Sequence, residues 1–162
     1  MRTLLITLFM GWLLIGCSEP TTGPVEVHWD RDICERCRMI LSDRKHAAQI
    51  RYSDAQNRSR VRMFDDIGCA VIWLEDKPWR DADTTEIWAS DHRNGEWIDA
   101  RSAFYIKRQM TPMEYGLGAQ NQAPIETSLS YAEAKLHIFE VEATYNQHGT
   151  HIKDGLERVE GQ

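Results

Sequence analysis

The body of the chain contains two short stretches in which polar and apolar residues alternate. Residues 48–52 form the first stretch and residues 60–64 form the second. Alternation with a period of two is typical of β-strands that bury one face. The residues between the stretches, 53–57, are Ser, Asp, Ala, Gln and Asn, and most of these favour turns. The pattern therefore predicts a β-hairpin.

A helix is predicted directly after this hairpin. Apolar residues recur at helical spacing at Ile67, Ala70, Val71 and Leu74. Two acidic residues, Asp65 and Asp66, stand where an N-cap is expected, and Pro78 ends the pattern. A strand predicted over residues 85–90 completes a β-β-α-β order, which is typical of an α+β fold.

A second, looser round of elements follows. Strands are predicted over residues 97–100 and 103–107, whereas residues 109–127 show no regular pattern. A helix is predicted to begin near Ser128 or Ser130. Its expected apolar stripe consists of Leu129, Ala132, Leu136 and Phe139. The expected fold class is α+β, with the β-β-α order occurring twice before a polar tail.

The beginning of the chain has a different character. A basic start precedes an apolar run over residues 4–15, which is too short to span a bilayer and is typical of a secretory signal. The junction Leu14-Ile15-Gly16-Cys17 resembles the bacterial lipobox. This resemblance implies removal of residues 1–16, acylation of Cys17 and a lipid-anchored tether over residues 17–27. An uncleaved anchor or a buried N-terminal helix is the alternative interpretation.

Acylation of Cys17 would determine the cellular location of the mature protein. Two or more acyl chains hold a protein stably on a membrane, so the mature chain would face an extracytoplasmic, oxidising compartment. Ser18 follows the cysteine, and this resembles the signal for transfer to the outer membrane. The expected location is the periplasmic face of a bacterial membrane, with the outer membrane favoured over the inner one.

Charge and cysteine content narrow the function classes. The chain has 162 residues, with 19 Lys plus Arg against 25 Asp plus Glu and a formal net charge of −6. Since no cluster of basic residues is present, this balance argues against a nucleic-acid binder. Four cysteines are too few for a disulfide scaffold, so one or two of them are expected to carry chemistry.

The segment Cys34-Glu35-Arg36-Cys37-Arg38-Met39 is the strongest candidate for that chemistry. Its spacing lets one turn of chain direct two thiols and a thioether at a single centre. Thiolates and thioethers are soft ligands, and a thioether suits Cu(I) better than Zn²⁺. The presence of Met39 therefore favours a copper(I) site.

Three other interpretations of Cys34 and Cys37 compete with copper. They can form a disulfide in an oxidising compartment, or act as a thioredoxin-like redox pair. A redox pair of that kind normally opens a helix after a strand, and no such setting is evident here. With His28 and His46 the two cysteines can also make a tetrahedral zinc site, although the histidine spacing matches no standard zinc finger.

Other residues with ligand chemistry are less clear. Met110 and Met113 lie in a segment interrupted by Gly and Pro, where Met113 is expected to be a third sulfur ligand, a contact for a copper-receiving partner, or a buried pin for the loop. Cys69 lies within the first predicted helix, where a buried, inert thiol is the more common outcome. His46 and His137 are expected to be hydrogen-bonded rather than metal-bound.

Several motifs together resemble the NosL family, the nitrous-oxide reductase accessory lipoproteins. They are the lipobox, Cys34-x-x-Cys37-x-Met39, Met63-Phe64-Asp65-Asp66-Ile67-Gly68-Cys69, Trp97-Ile98-Asp99-Ala100 and Thr111-Pro112-Met113-Glu114-Tyr115-Gly116. The resemblance implies two small ββαβ units, similar to those of the organomercurial lyases. It also implies a copper(I) chaperone that supplies the catalytic copper–sulfide centre of nitrous-oxide reductase together with a membrane ABC-type maturation complex. One departure is Arg38, which stands where the family commonly has Gly.

The resulting hypothesis is a non-enzymatic Cu(I) carrier. Cys34 and Cys37 are its expected thiolate donors, Met39 its thioether donor, and Met113 an added ligand or transfer contact. The alternatives are a periplasmic thiol-disulfide oxidoreductase, a lyase-like enzyme that uses the same cysteine pair, and a zinc-stabilised adaptor. The expected domain division is a first ββαβ unit over 28–92, a second, looser unit over 93–145, and a polar tail over 146–162.

Overall fold

The computed structural model describes residues 20–125 and 127–145. It contains six strands and two helices within those residues. The strands are β1 (Ala48–Ser53), β2 (Ser59–Phe64), β3 (Glu86–Ser90), β4 (Trp97–Asp99), β5 (Phe104–Lys107) and β6 (Leu117–Gln120). The helices are α1 (Ile67–Glu75) and α2 (Tyr131–Tyr145). The predicted signal peptide, the anchor at Cys17 and the tail over 146–162 lie outside the described residues.

The first four strands form an antiparallel sheet in the order β2-β1-β3-β4. The predicted hairpin is its first half, with Ala48 paired to Phe64 and Ser53 to Ser59. Its turn is stabilised by the Asp54 carboxylate, which accepts hydrogen bonds from the backbone N–H groups of Gln56 and Arg58 at 3.0 and 2.9 Å. This is the turn chemistry that the sequence indicates.

Helix α1 begins and ends where the sequence predicts. Asp66 is its N-cap, and the Asp66 carboxylate accepts a hydrogen bond from the Gly68 N–H at 2.9 Å. Asp66 is fully buried, and burial raises the pKa of its carboxyl group to about 6. The apolar residues predicted for this helix are buried in the core, which also contains Ala48 and Ile50 of β1.

A second, two-stranded sheet consists of β5 and β6. Strand β6 lies in the stretch for which the sequence predicts no regular structure, because all four of its residues are buried and no polar-apolar alternation marks it. The two sheets meet where the His92 N–H donates to the Ala119 carbonyl at 2.8 Å and Asp91 bridges to Ala119. The α+β class with small ββα-type units is therefore confirmed.

Strand β4 lies in a different place from the one that the sequence suggests. The pattern groups residues 97–100 with the second unit, but Trp97–Asp99 pairs with β3 in the first sheet. The reason is the tight turn between the two strands, in which the Asp91 N–H donates to the Glu96 carbonyl at 2.7 Å. This turn returns the chain directly along β3.

Helix α2 begins after Ser130, as predicted, but it buries a different stripe. Glu133 accepts a hydrogen bond from the Ser130 N–H at 2.7 Å in a capping box. The buried residues of α2 are Ala134, Ile138, Phe139 and Glu142. Of the predicted stripe, Phe139 is buried, Leu129 and Leu136 are half-buried and Ala132 is exposed. Leu129 precedes the helix. The prediction was wrong at Ala132, because the residues of α2 that enter the core recur every four positions at Ala134, Ile138 and Glu142.

Strand β1 is buried on both faces. Its Ala48 and Ile50 side chains enter the core, and the alternate positions Gln49 and Arg51 face the N-terminal segment instead. Gln49 and the backbone of Val25 exchange hydrogen bonds of 2.9 and 2.8 Å. The N-terminal segment therefore covers the outer face of the first sheet. Among the described residues, no helix has the length and apolar character needed to cross a membrane.

Candidate metal centre

The Cys34–Met39 segment forms a tight loop. The Cys34 N–H donates to the Met39 carbonyl at 2.8 Å. The flanking residues Ile33 and Ile40 pair with each other in an antiparallel β-bridge. Arg38 adopts the left-handed conformation with φ of 67°, which glycine adopts without strain. The cysteine pair thus lies on a turn and does not open a helix, so the helix-dipole setting of a thioredoxin-like pair is not present.

Three sulfurs and a carboxylate meet at this loop. One ligand atom from each of Cys34, Cys37, Asp65 and Cys69 lies within 4.8 Å of the other three. We call these four residues the thiol cluster. Cys34, Asp65 and Cys69 are buried, Cys37 is half-buried, and the three thiols are free. The sequence interpretation of Cys69 as a buried thiol is correct as to burial, but its approach to Cys34 and Cys37 was not predicted, and neither was the participation of Asp65.

The β2–α1 junction positions the second half of the cluster. Asp65 lies between the last residue of β2 and the N-cap of α1, while Cys69 lies in the first turn of α1. The loop is fixed to the same strand because the Glu35 N–H donates to the Met63 carbonyl at 2.9 Å. Local structure at both segments therefore brings residues more than 25 positions apart to one centre.

The three thiols differ in their acidity. The pKa of Cys34 is lowered to about 7, mainly because its sulfur accepts a hydrogen bond from Cys69 and also because backbone N–H groups face it. Burial raises the pKa of Cys37 to about 12. The hydrogen bond to Cys34, together with burial, raises the pKa of Cys69 well above its usual value. Near neutral pH Cys34 is therefore the thiol that ionises, while Cys37 and Cys69 stay protonated.

Asp65 has an incomplete set of hydrogen bonds. Its Oδ2 accepts a hydrogen bond from the Cys37 thiol at 3.2 Å, whereas its Oδ1 is buried and has no hydrogen-bond partner. A buried carboxylate oxygen without a partner is costly unless a cation or a donor satisfies it. Together with three convergent sulfurs, this oxygen gives the cluster a donor set that fits a bound metal cation.

Arg36 connects the cluster to helix α2. Its Nη1 donates to the Tyr115 hydroxyl at 3.1 Å and lies 3.9 Å from the Cys69 sulfur. Its Nη2 forms an ion pair with the buried Glu142 carboxylate of α2, which also accepts a hydrogen bond from the Tyr115 hydroxyl. Burial raises the pKa of Tyr115, so its hydroxyl stays protonated and donates. Sequence patterns gave no signal for this network.

The methionines occupy different environments. Met39, the last residue of the Cys34–Met39 loop, which we call the cluster loop, is 51% exposed. Met113 is half-buried against the core, and its N–H donates to the Asp66 carboxylate at 3.3 Å. Met110 is 94% exposed. The roles of Met39 and Met113 as sulfur ligands stay predictions.

The histidines do not join the cluster. His28 lies 3.4 Å from the Asp32 carboxylate, and His46 lies 2.9 Å from that of Asp43. The prediction that His137 is hydrogen-bonded is confirmed, since its Nε2 contacts the Tyr115 carbonyl at 3.0 Å. For His46 it is confirmed at Nδ1 alone, because its buried Nε2 has no hydrogen-bond partner among the described residues. A Cys₂His₂ zinc site with His28 and His46 is not formed in the described part of the chain.

Comparison with known proteins agrees with the motifs described above. A family model described as NosL matches residues 24–125, which is more than half of the chain. No curated protein and no solved structure matches. The matched span contains all four residues of the thiol cluster together with Met39 and Met113. The chain therefore belongs to the NosL family.

Proposed function

We propose that this protein is a lipid-anchored, extracytoplasmic Cu(I) carrier that supplies copper for the catalytic copper–sulfide centre of nitrous-oxide reductase. The NosL family is a family of copper-binding accessory proteins. The observation that carries the proposal is the thiol cluster, in which three free thiols and a buried carboxylate converge within 4.8 Å.

Copper(I) is the metal that the donor set favours. Cu(I) takes two to four soft donors, and thiolates are the softest that a protein offers. In this proposal Cys34 is the first donor because its lowered pKa provides a thiolate at neutral pH. Cys37 is the second donor, and the hydrogen bond between its thiol and Asp65 orients its sulfur toward the centre.

A carrier must also release its metal. Cys37 is half-buried and Met39 is half-exposed on the same loop, so the open side of the cluster lies at this loop. We assign Met39 as the thioether that meets incoming and outgoing copper there. Cys69 is fully buried and 3.9 Å from Arg36, which suits a sulfur that supports Cys34 by hydrogen bonding. Met113 is assigned as an added ligand or transfer contact.

The cellular setting follows from the sequence resemblance. Cys17 would hold the mature protein at the periplasmic face of a bacterial membrane, and the outer membrane is favoured because Ser18 follows the anchor. The partners would be nitrous-oxide reductase and a membrane ABC-type maturation complex. The net charge of −6 mainly favours solubility.

The site is tested by anaerobic Cu(I) titration of the chain from Ser18 to Gln162 against a chromophoric chelator. We expect one copper per chain, read by mass spectrometry. The Cys34→Ser, Cys37→Ser double variant should lose affinity by more than the roughly 10–100-fold that follows loss of an outer-sphere partner. Met39→Leu should weaken binding, while the same substitution at the exposed Met110 is the control. Unchanged affinity in the double variant would refute the site.

The physiological role needs a separate test in cells. A strain without this protein should produce nitrous-oxide reductase that lacks its copper–sulfide centre. Complementation with the wild-type chain should restore that centre, and complementation with the Cys34→Ser, Cys37→Ser variant should not. Full restoration by the double variant would contradict the delivery role even if the purified protein binds copper.

One observation keeps an enzymatic role as a second candidate. A thiol of lowered pKa beside a thiol of raised pKa is also the arrangement of a thiol-disulfide oxidoreductase or a lyase-like enzyme. Insulin reduction or carbon–metal bond cleavage above background would favour that candidate. Met39→Leu would then keep full activity, whereas we expect it to weaken the copper carrier.

A further inference from the structure

A groove of about 680 Å³ lies between the N-terminal segment and the hairpin. Pro20 and Val25 line one side of it, and Arg51, Ser59, Arg60 and Arg62 line the other. Strand β2, which carries three of these residues, is the edge of the first sheet. The groove is separate from the thiol cluster, because none of the four cluster residues lines it.

Arg51 is the unusual residue of this groove. Only 4% of it is exposed. Its Nε donates to the Gly23 carbonyl at 2.7 Å and its Nη1 donates to the Ser59 hydroxyl at 2.5 Å. Its Nη2 is buried without a hydrogen-bond partner, and within residues 20–125 and 127–145 its guanidinium forms no ion pair. Glu86 stands opposite Arg51 in the sheet, but its carboxylate accepts hydrogen bonds from the Gly23 N–H and the Trp88 indole instead. A buried cation without a direct ion pair is costly, so this position favours a bound anion.

The other charged residues of the groove are of both signs. Arg60 and Arg62 stand at alternate positions of β2 on the same wall, each held by one carboxylate: Asp54 at 3.0 Å and Glu35 at 3.7 Å. Glu26 and Asp32 are the carboxylates that line the groove, together with His28. Counted with Asp54 and Glu35, three arginines face four carboxylates, so the attraction of the groove for an anion rests on the unpartnered Nη2 of Arg51 and not on an excess of positive charge.

We propose that this groove binds a phosphate group and that its physiological ligand is the phosphate of a phospholipid headgroup. Guanidinium groups recognise phosphate through paired N–H donors, and Arg51 has an Nη2 free to donate. Ser59 and Arg60 are the second and third contacts on the same wall. Headgroup binding goes beyond copper carriage, but the choice of a lipid over a free phosphate rests on the lipid anchor in the proposed function.

Chain length favours the lipid as the source. Pro20 lines the groove and follows the predicted acylation site by three residues, which span at most about 10 Å when extended. A lipidated Cys17 would therefore hold the groove within reach of the headgroups. Binding there would turn the outer face of the first sheet toward the membrane. Helix α1, which carries Cys69 on the opposite face, would then point away from the membrane and toward a partner.

The experiment uses the chain from Ser18 to Gln162, which retains every described residue and lacks the acyl chains. Inorganic phosphate is the first probe, with chloride at equal ionic strength as the reference. Phosphate should raise the melting temperature of this chain by preferential binding to the folded state. Vesicles of phosphatidylglycerol and phosphatidylcholine are the second probe, measured by co-sedimentation. An acidic chain is repelled by anionic vesicles as a whole, so binding to them requires a local site.

Arg51→Gln should weaken both phosphate and vesicle binding by about tenfold or more, since it removes charge-assisted hydrogen bonds. Arg108→Gln removes the same charge from an exposed residue outside the groove and should change neither. If Arg51→Gln does not fold, Arg60→Gln and Ser59→Ala test the same wall, each with a smaller loss. Copper affinity should be unchanged in all of these variants, which separates this site from the thiol cluster.

Three outcomes would overturn the proposal. Phosphate without effect on the melting temperature, or an equal loss of binding in Arg51→Gln and Arg108→Gln, would remove the anion site. Phosphate binding without vesicle binding would overturn the headgroup as ligand. None of these outcomes depends on copper, so failure of the copper-carrier proposal would be seen separately in the Cu(I) titration.

Discussion

At the scale of single residues, the unequal acidity of Cys34 and Cys37 determines how copper binding depends on pH. Cys34 has a pKa lowered to about 7 and Cys37 a pKa raised to about 12. Between these values the free protein carries a proton on Cys37 but not on Cys34. Binding of Cu(I) by both thiolates then releases one proton, whereas below pH 7 it releases two.

We therefore expect the apparent Cu(I) affinity to rise about tenfold per pH unit between pH 7 and 9, and more steeply below pH 7. Competition with a chelator, corrected for the protonation of the chelator, measures this slope. In the Cys34→Ser variant the steeper pH dependence below pH 7 should disappear, and the apparent Cu(I) affinity should rise about tenfold per pH unit over the whole range. A slope near a hundredfold per unit above pH 7 would instead mean that Cys69 also loses its proton on binding.

Arg38 is a second residue whose conformation has a measurable consequence. It adopts a φ of 67° in the tight loop between Cys34 and Met39, a conformation that costs a non-glycine residue about 1–2 kcal/mol. Glycine removes most of that cost, but it also raises the conformational entropy of the unfolded chain, which offsets part of the gain in stability. Arg38→Gly should therefore raise the free energy of unfolding by up to about 1 kcal/mol in urea titration.

Arg31→Gly is the matched control for Arg38→Gly. Arg31 is also exposed and lies in a neighbouring turn, but its φ is not positive. The same substitution there should lower the free energy of unfolding, because it only adds freedom to the unfolded chain. Equal effects at both positions would show that the conformation of Arg38 is not strained.

At the scale of elements, sequence patterns predicted those parts of the fold that local physics determines. The β1–β2 hairpin has alternation and turn residues, and α1 has an acidic N-cap and a terminating proline, so both could be found. Strand β6 (Leu117–Gln120) shows no alternation of polar and apolar residues and contains no β-branched residue. All four of its residues are nevertheless buried. Its burial results from packing that no local pattern records.

The candidate site shows the same division. Cys34 and Cys37 were identified because their spacing in one loop is local. Cys69 and Asp65 were not assigned to the site, because their approach depends on the loop docking beside the β2–α1 junction. A Cys within an apolar helix is normally interpreted as a buried core residue, and an Asp before a helix is normally interpreted as its N-cap. Only the tertiary fold distinguishes these roles from ligand roles.

The start of α1 also depends on a close contact with Tyr115, which lies in the connection between β5 and β6. A Cβ added to Gly68 would lie 2.2 Å from the Tyr115 ring, so only glycine lets that ring approach the helix. Replacing Gly by Ala in an exposed helix gains roughly 1 kcal/mol. Gly68→Ala should instead lose about 1–3 kcal/mol through overpacking, as measured by urea denaturation.

A double-mutant cycle identifies the cause of that loss. Tyr115→Ala removes the ring that Gly68→Ala meets, so the double variant should be less destabilised than the sum of the two single variants. Additive losses would show that the destabilisation by Gly68→Ala does not arise from contact with the Tyr115 ring.

At the scale of the whole molecule, a single buried ion pair joins the two ends of the described chain. Arg36 lies on the cluster loop and Glu142 on the last turns of α2, 106 positions away. Tyr115 from the β5–β6 connection completes the contact. The same guanidinium lies 3.9 Å from the Cys69 sulfur. Helix α2 therefore supports the cluster loop without offering a ligand of its own.

We expect Glu142→Gln to be strongly destabilising, because it leaves the Arg36 guanidinium, whose side chain is only 16% exposed, without its counter-ion. Loss of one partner of a buried pair typically costs about 3–5 kcal/mol. Glu140→Gln removes the same charge from an exposed position on the same helix and should change stability by less than about 0.5 kcal/mol. Urea denaturation of both variants measures the difference. If Glu142→Gln matched Glu140→Gln, the cluster loop would be held in place without α2, and the ion pair would have no structural role.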